Sequence, residues 1–427
     1  MGASGVKIAV IGGGSTYTPE LIEGIGLRAE SLPVSELVLH DIDEERRKVV
    51  GGLASRMLER QGFNGRLEIS DDLDRAVEGA DFVLIQIRVG GQAARLGDET
   101  APLACGCIGQ ETTGAGGLAK ALRTVPVVLE LAEAVARRSA PGAWIVDFTN
   151  PVGIVTQALA DAGHRSIGLC NVAIGFQRRF ADRFGVEPER VELEQVGLNH
   201  LTWIRAVRVD GVDRLPEILE QDVEELADDV HITPDRLVRE QAIPSYYLRY
   251  YDDEAGVIAE ARTKTTRAEE VMEIEHDLLE LYRDPTLDTK PELLEHRGGA
   301  FYSEAAAQLI ASLTDGRGDI QIVDVRNDGT LPGLADADVV EVPARIDRDG
   351  AHPIPQAPLS PTQYDLVSRV KAYERLVIRA AVSGDPTIAR AALAANPLAG
   401  DPDRAGELLE AIFEVNGRWL PRFFPNG

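Results

Sequence analysis

The chain has 427 residues, and its 70 acidic and 44 basic side chains give a formal net charge of −26. The acidity argues against nucleic acid and anionic membranes as partners, because phosphate groups are bound by clustered Lys and Arg. No apolar run approaches the roughly 18 residues of a membrane span, and three cysteines are an odd, sparse set typical of a reducing compartment. We therefore expect a cytoplasmic protein of two or three domains.

The first half of the chain alternates between strand and helix patterns. The apolar run Val6–Ile11 ends in three glycines and predicts a strand, a tight turn and a helix, with Thr18 as the helix cap. Further predicted strands are Leu37–Leu39, Leu67–Ser70, Phe82–Ile87 and Trp144–Phe148, with a helix at Ala119–Ala136. This alternation favours parallel βαβ units, so residues 1–195 are predicted to form a doubly wound parallel sheet.

The pattern changes after residue 195. Strands are predicted at Val191–Val196 and Trp203–Val209, and helices at 266–283, 361–383 and 402–416. Residues 196–427 are therefore predicted to form a mixed α+β domain, with a soft boundary because no low-complexity linker marks it.

The glycine turn has the context of a dinucleotide site. Gly12 and Gly14 follow a strand and precede a helix, which allows a pyrophosphate to approach the helix N-terminus. Asp41 follows the second strand, 27 residues after Gly14, where a carboxylate can accept ribose hydroxyls. Tyr17 replaces the third glycine of the general fingerprint, so a structural turn without a ligand stays the alternative. Asp41 disfavours a 2′-phosphate, although the nearby Arg46 keeps NADP open.

Three further loops follow predicted strands at the edge where open α/β sheets bind ligands. They are Arg88-Val89-Gly90-Gly91 with Arg95, the glycine-rich stretch from Gly109 to Gly117 that contains Glu111, and Thr149-Asn150-Pro151-Val152. A glycine-rich loop carrying an acid and hydroxyls favours a site over a plain turn. Lactate and malate dehydrogenases also show Asn-Pro-Val at this place, which favours a dehydrogenase-like architecture.

Cys170 and His200 end two successive predicted strands. One Cys and one His at adjacent strand ends can hold a divalent metal whose shell is completed by substrate oxygens. From the residues alone, a buried Cys and an oriented core His are an equal alternative. The segment Tyr246–Tyr251 contains four of the nine tyrosines. Most of them suit packing, but one near a metal and an Arg could act as a base with a lowered pKa.

Taken together, these motifs resemble the NAD-dependent glycoside hydrolases of family 4, from the first strand to the C-terminal helices. The resemblance is carried by Gly12-Gly13-Gly14-Ser15, Arg88-Val89-Gly90-Gly91 with Arg95 and Asp98-Glu99, Gly109-Gln110-Glu111-Thr112-Thr113-Gly114, Thr149-Asn150-Pro151, Cys170-Asn171, Asn199-His200, Tyr247-Leu248-x-Tyr250-Tyr251 and Arg267. Their order and number argue against chance. Tyr17 is no departure, because the family tolerates other residues in place of the third glycine.

The resemblance implies a redox route instead of two-carboxylate hydrolysis. NAD⁺ takes hydride from sugar C3, and the resulting ketone acidifies the C2 proton, which a tyrosine removes. The glycosidic bond then breaks by elimination, water adds to C1 and the hydride returns, so NAD is not consumed. A divalent metal, usually Mn²⁺, chelates O2 and O3 and stabilises the developing charge.

The resemblance also implies roles for individual residues. The cofactor set is Gly12, Gly13, Gly14, Ser15, Asp41 and Arg88, the metal ligands are Cys170 and His200, the base is Tyr247, and the substrate set is Arg95, Glu111, Asn150, Asn171 and Arg267. Within the substrate set, Arg95 and Arg267 are expected to hold a sugar 6-phosphate, which suits a guanidinium fork.

Asn171 determines the predicted anomer. Family members that cleave α-glycosides tend to have an acidic Asp after the Cys, whereas Asn171 cannot donate an acidic proton. We therefore predict hydrolysis of 6-phospho-β-glucosides by a homodimer or homotetramer. The alternatives are another family 4 glycosidase, a lactate- or malate-type dehydrogenase that would not need Cys170 beside a metal, and a non-catalytic dinucleotide sensor.

Overall fold

The computed structural model describes residues 5–29, 31–298 and 301–425. Within these ranges the strands are β1 Val6–Ile11, β2 Val34–His40, β3 Arg66–Ser70, β4 Phe82–Ile85, β5 Trp144–Asp147, β6 Ser166–Gly168, β7 Val191–Leu198, β8 Leu201–Val209, β9 Val212–Asp213, β10 Ile243–Pro244, β11 Ile320–Arg326, β12 Val339–Asp347 and β13 Gly350–Pro353. The α-helices are α1 Thr18–Leu27, α2 Glu44–Arg60, α3 Leu73–Val77, α4 Gly91–Ala104, α5 Ala115–Arg138, α6 Val152–Asp161, α7 Asn171–Phe184, α8 Leu215–Gln221, α9 Val223–Val230, α10 Pro234–Glu240, α11 Arg249–Asp252, α12 Glu254–Ala261, α13 Arg267–Tyr282, α14 Tyr302–Asp315, α15 Pro361–Ser383, α16 Pro386–Ala395 and α17 Ala405–Asn416.

Six strands form the parallel half of the sheet, in the order β3-β2-β1-β4-β5-β6. The strand order reverses between β1 and β4, which creates the crevice where doubly wound sheets bind dinucleotides. Alternate residues of β1 pack on opposite faces: Ile8 and Val10 belong to one apolar cluster, and Ala9 and Ile11 belong to another. The predicted Rossmann-like sheet is confirmed.

The remaining strands extend the same sheet in antiparallel fashion, in the order β6-β11-β12-β7-β8-β10. Asp324 of β11 pairs with Gly168 of β6, and Glu341 of β12 pairs with Gly197 of β7. Strand β7 passes through residue 195, so the division into domains 1–195 and 196–427 stays a prediction.

Helix boundaries differ from the predictions at α1, α5 and α17, and by one residue at each end of α13. Tyr17, and not Thr18, is the cap residue of α1; the Thr18 hydroxyl instead donates to the Gly13 carbonyl at 2.9 Å. Helix α5 begins at Ala115, inside the glycine-rich loop, and α17 begins at Ala405. Among the described residues, none of the helices combines the length and apolar character that crossing a bilayer requires.

Candidate active site

A cavity of about 1120 Å³ lies beside the loops that follow β1, β2, β4 and β5. Eleven of the predicted site residues line it: Gly12, Gly14, Ser15, Asp41, Arg88, Arg95, Glu111, Asn150, Asn171, Tyr247 and Arg267. Gly13 lies behind this lining, where its N–H donates to the His40 carbonyl at 2.8 Å. Cys170 borders a separate small cavity of about 50 Å³, and His200 borders another of about 20 Å³.

The glycine turn is held against β4 by close backbone contact. Gly12 has a φ of +90°, and a Cβ there would lie 2.7 Å from the Gln86 carbonyl oxygen. The Gln86 amide donates to the Gly12 carbonyl at 3.1 Å and to the Thr18 hydroxyl at 3.0 Å. This geometry leaves a side-chain-free cradle at the start of α1, which fits the close approach of a pyrophosphate.

Asp41 is oriented by the turn itself. One carboxylate oxygen accepts the Gly14 N–H at 2.9 Å, and the other accepts the Asp43 N–H at 3.0 Å. A carboxylate oxygen can accept more than one hydrogen bond, so each retains capacity for a ribose hydroxyl.

A second carboxylate, Glu275 of α13, connects three elements around the cofactor end of the cavity. It accepts from Arg46 at 2.8 Å, Arg297 at 2.9 Å and Gln92 at 3.1 Å. Burial opposes its ionisation, but the charges of Arg297 and Arg46 lower the pKa of Glu275 to about 2. Arg46 is thus engaged by a carboxylate instead of standing alone as a cation for a 2′-phosphate.

Three cations surround the carboxylate of Glu111. Lys120 donates to it at 2.7 Å, Arg88 donates to it, and Arg95 Nε lies 3.4 Å from it. Burial works against the charged form, yet Arg88, Lys120 and Arg95 hold the pKa of Glu111 well below its usual range. Burial, followed by repulsion from Arg88, lowers the pKa of Lys120 to about 7. Glu111 thus brings three basic side chains together in this part of the cavity wall.

Arg95 and Arg267 lie near the N-terminus of α13. The Glu99 carboxylate connects Arg95 to this helix end: one oxygen accepts from Arg95 Nε at 2.7 Å, and the other accepts the Ala268 N–H at 2.9 Å. Arg267 is the first residue of α13 and pairs with Glu270 at 2.9 Å. Two guanidinium groups beside a helix N-terminus form an environment that favours an anion.

His200 and Tyr247 are in direct contact. Their rings stack with centroids 3.8 Å apart and an interplanar angle of 11°. His200 Nδ1 lies 3.0 Å from the Thr112 hydroxyl. Burial, and then the charge of Lys120, lower the pKa of His200 to about 3, which keeps the imidazole neutral as a metal ligand must be. Burial raises the pKa of the Cys170 thiol well above its usual value.

Cys170 and His200 border different cavities. Among the described residues, no group of three or more His, Cys, Asp and Glu side chains could hold a metal. A thiol and an imidazole alone leave coordination positions open, as in catalytic sites.

Further polar groups line the large cavity. Asn150 Oδ1 is buried and has no hydrogen-bond partner among the described residues, although the residue lines the cavity. An unsatisfied buried amide oxygen is costly unless a ligand hydroxyl completes it. Tyr302, also on the lining, packs edge-on against Phe148 with ring centroids 5.5 Å apart.

The tyrosine segment contributes three phenols to the cavity: Tyr246, Tyr247 and Tyr250. Tyr246 stacks on Tyr247 at 4.3 Å. The expectation that a nearby metal and Arg lower the pKa of such a tyrosine stays a prediction for the cation-bound protein. Burial, followed by Tyr246, raises the pKa of Tyr247 well above its usual value.

Lys120, Glu275, Arg297 and Tyr302 are among the residues of this cavity that the sequence analysis missed. Lys120 could have been found from the sequence. A lysine one turn into an otherwise apolar helix is expected to be buried, and a buried lysine rarely lacks a partner. The other three carry no local motif. They reach the site from segments more than 150 residues beyond the glycine turn.

A doubly wound sheet with a glycine cradle, an oriented acidic residue and a polar cavity at its switch point defines a dinucleotide-binding protein with a second, small-ligand site. The chain belongs to family 4 of the glycosyl hydrolases. The sequence model of the Family 4 glycosyl hydrolase matches residues 7–186, and that of the Family 4 glycosyl hydrolase C-terminal domain matches residues 195–399.

Similar proteins are known in sequence and structure. A probable 6-phospho-beta-glucosidase of Bacillus subtilis is 41% identical, covering 98% of each chain. The 6-phospho-beta glucosidase from Thermotoga maritima, solved with NAD and glucose-6-phosphate, is 39% identical with a TM-score of 0.91, covering 97% of this chain and 99% of that one. It was also solved with manganese, NAD⁺ and glucose-6-phosphate.

A malate dehydrogenase from Plasmodium falciparum shares the fold with a TM-score of 0.52 at 15% identity, covering 88% of this chain and 98% of that one. This likeness confirms the predicted lactate/malate-dehydrogenase-like architecture and carries no further argument about activity.

Proposed function

We propose that this protein hydrolyses 6-phospho-β-glucosides, using NAD and a divalent cation, Mn²⁺ in the first instance. One observation carries the proposal: a single cavity joins the glycine turn with Asp41, the tyrosine stacked on His200, and the arginine pair at the start of α13. The similar proteins named above support the same substrate class and the same cofactors. When bound, NAD⁺ and the cation supply hydride exchange at sugar C3 and positive charge next to the sugar hydroxyls.

The turn residues Gly12–Ser15 would bind the pyrophosphate, and Asp41 would orient the ribose through its remaining acceptor capacity. Arg88 faces the same cavity, but it is bound to Glu111. An anionic group of the cofactor would therefore contact Arg88 either by displacing the Glu111 carboxylate or by binding beside it.

Cys170 and His200 are the proposed holders of the cation. Support comes from the neutral imidazole of His200, which a metal ligand must be. The thiol must lose its proton on metal binding, because the thiolate is the ligand. Since burial raises the pKa of Cys170, cation affinity is expected to increase with pH.

Tyr247 is the proposed base for the C2 proton. It lines the cavity and stacks on the imidazole of His200, so a cation held there would lie close to the phenol. Burial raises the pKa of Tyr247 in the protein alone, and nearby positive charge favours the phenolate form. Asn150, with its unpartnered amide oxygen, and Asn171 are proposed to receive sugar hydroxyls.

The substrate's 6-phosphate is assigned to Arg95 and Arg267. Both line the cavity, and Arg95 has a largely buried side chain that is fixed by Glu99. Glu111 is proposed to act in substrate binding through the cations that surround it.

Hydrolysis of p-nitrophenyl β-glucoside 6-phosphate tests the proposal, with and without NAD⁺ and Mn²⁺ under reducing conditions. We expect turnover only with both, and far slower turnover of the α-anomer, because Asn171 cannot supply an acidic proton. Preferential cleavage of the α-anomer would contradict the assignment to the β branch. Accumulation of NADH with a 2-hydroxy acid would instead favour a dehydrogenase.

The cellular location and the oligomeric state belong to the same proposal. The three cysteines form no disulfide, in keeping with a cytoplasmic location. A homodimer or homotetramer stays a prediction, which light scattering of the purified protein measures directly.

A further inference from the structure

The side-chain oxygen of Gln110 lies within hydrogen-bonding distance of four donors in the glycine-rich loop. The backbone N–H groups of Thr112 and Thr113 each lie 2.6 Å from it, and the two threonine hydroxyls lie at 2.8 and 3.0 Å. A backbone N–H can only donate, so the Gln110 atom that receives two of them is the amide oxygen and not the amide nitrogen.

The orientation of the Thr112 hydroxyl follows from this assignment. Two oxygens 2.8 Å apart repel unless a proton lies between them, and the amide oxygen of Gln110 has none to give. The Thr112 proton therefore points to Gln110. Toward His200 Nδ1, 3.0 Å away, the same hydroxyl can offer only a lone pair, so Nδ1 carries the proton.

We propose that Gln110 and Thr112 are positioning residues that hold neutral His200 with its proton on Nδ1 and its lone pair on Nε2, ready to bind a divalent cation. This inference rests on the proposed function, because that function makes His200 a metal ligand. Histidine ligands are commonly oriented through their other ring nitrogen, and the loss of such a partner typically weakens metal binding about 10- to 100-fold.

The surroundings of His200 restrict both the hydrogen bonding and the orientation of its imidazole ring. Thr112 and His200 are 7% and 5% exposed, so water competes poorly for Nδ1. Stacking on Tyr247 restrains the plane of the imidazole, and the backbone of His200 has a φ of +63°. The same contact thus sets which nitrogen binds the cation and how the ring faces the proposed base.

Thr113 provides a matched control. Its N–H and hydroxyl donate to the same Gln110 oxygen, but the hydroxyl that contacts His200 belongs to Thr112. Thr112→Val removes the hydroxyl at nearly constant volume, Thr112→Ser keeps it, and Thr113→Val removes the neighbouring one.

Two readouts are taken on the purified full chain. Nitrogen-15 NMR of histidine-labelled protein reports the tautomer, with the His200 signals identified by their loss in His200→Ala. Titration with Mn²⁺ alone, followed by the EPR signal of free Mn²⁺, gives the dissociation constant. We expect Thr112→Val to lose the Nδ1–H pattern and to bind Mn²⁺ about 10- to 100-fold more weakly, whereas Thr112→Ser and Thr113→Val stay near wild type.

The inference is overturned if Thr112→Val keeps both the tautomer and the affinity while His200→Ala loses Mn²⁺ binding. It is equally overturned if Thr113→Val causes the same loss as Thr112→Val, because the loop as a whole would then be responsible. Unchanged Mn²⁺ binding in His200→Ala would refute the ligand assignment of the proposed function. In that case, the nitrogen-15 chemical shifts of His200 alone would test whether Thr112 sets the tautomer.

Discussion

Replacing Glu275 by glutamine is expected to destabilise the protein in a pH-dependent way. The carboxylate is 6% exposed and accepts hydrogen bonds from Arg46, Arg297 and Gln92. Glutamine preserves the shape but removes the charge that both guanidinium groups face. A pKa lowered from 4.5 to about 2 corresponds to about 3 kcal/mol of folding free energy at neutral pH.

The sign of the pH dependence follows from the direction of the pKa shift. A carboxylate whose pKa is depressed in the folded state contributes fully above its unfolded value, here 4.5. The contribution is lost as the pH falls from 4.5 towards 2, because over this range the unfolded chain takes up a proton at Glu275 that the folded protein does not. The difference between wild type and Glu275→Gln should therefore be largest at neutral pH and shrink steadily below pH 4.5.

Urea unfolding without cofactor, at neutral pH and at about pH 3, measures this difference. Glu407→Gln is the control, because Glu407 and its partner Arg404 are both more than half exposed; an exposed pair is worth about 0–1 kcal/mol. A Glu275→Gln effect no larger than the control, or one that does not change with pH, would refute the reasoning.

Three further predictions concern the activity. Dialysis against EDTA should abolish turnover, and it should return only when NAD⁺ and Mn²⁺ are both restored, without net NADH; activity that survives would exclude the redox route. Arg95→Ala and Arg267→Ala should each weaken binding of the phosphorylated substrate roughly 10- to 150-fold relative to a non-phosphorylated analogue, as expected for the loss of a charge-assisted contact of about 1.5–3 kcal/mol; equal losses for both substrates would indicate a structural role. Tyr247→Phe should lower turnover about 10²–10⁴-fold and abolish exchange of the C2 proton with deuterium, whereas Tyr251→Phe, whose ring does not line the cavity, should retain both.

Much of the parallel half was predictable from local sequence. A short apolar run that ends in glycines can hydrogen-bond its backbone groups and bury its side chains only as a central strand followed by a tight turn. For this reason the prediction at Val6–Ile11 agrees with the structure to the residue. Asp41 was also found in this way, because its distance from Gly14 is dictated by one helix and one strand.

Local reasoning failed where a contact competes with an intrinsic preference. Thr18 is a good cap residue in isolation, but its hydroxyl donates to the Gly13 carbonyl and receives the Gln86 amide. The pKa of Tyr247 likewise depends on burial, which no sequence pattern of four clustered tyrosines reports.

By itself, the sequence determined the dinucleotide-binding sheet, the order of its loops and, through family motifs, the residues proposed for catalysis. Tertiary structure decided how distant groups meet: Gln92 reaches Glu275 across 183 residues, and Thr112 reaches His200 across 88. Periodicity and turn chemistry act over a few neighbouring residues, whereas these contacts need elements far apart in the chain to pack together, such as α4 against α13. The charge on Glu275 is set by the partners that this packing brings together, and the tautomer proposed for His200 depends on its contact with Thr112 in the same way.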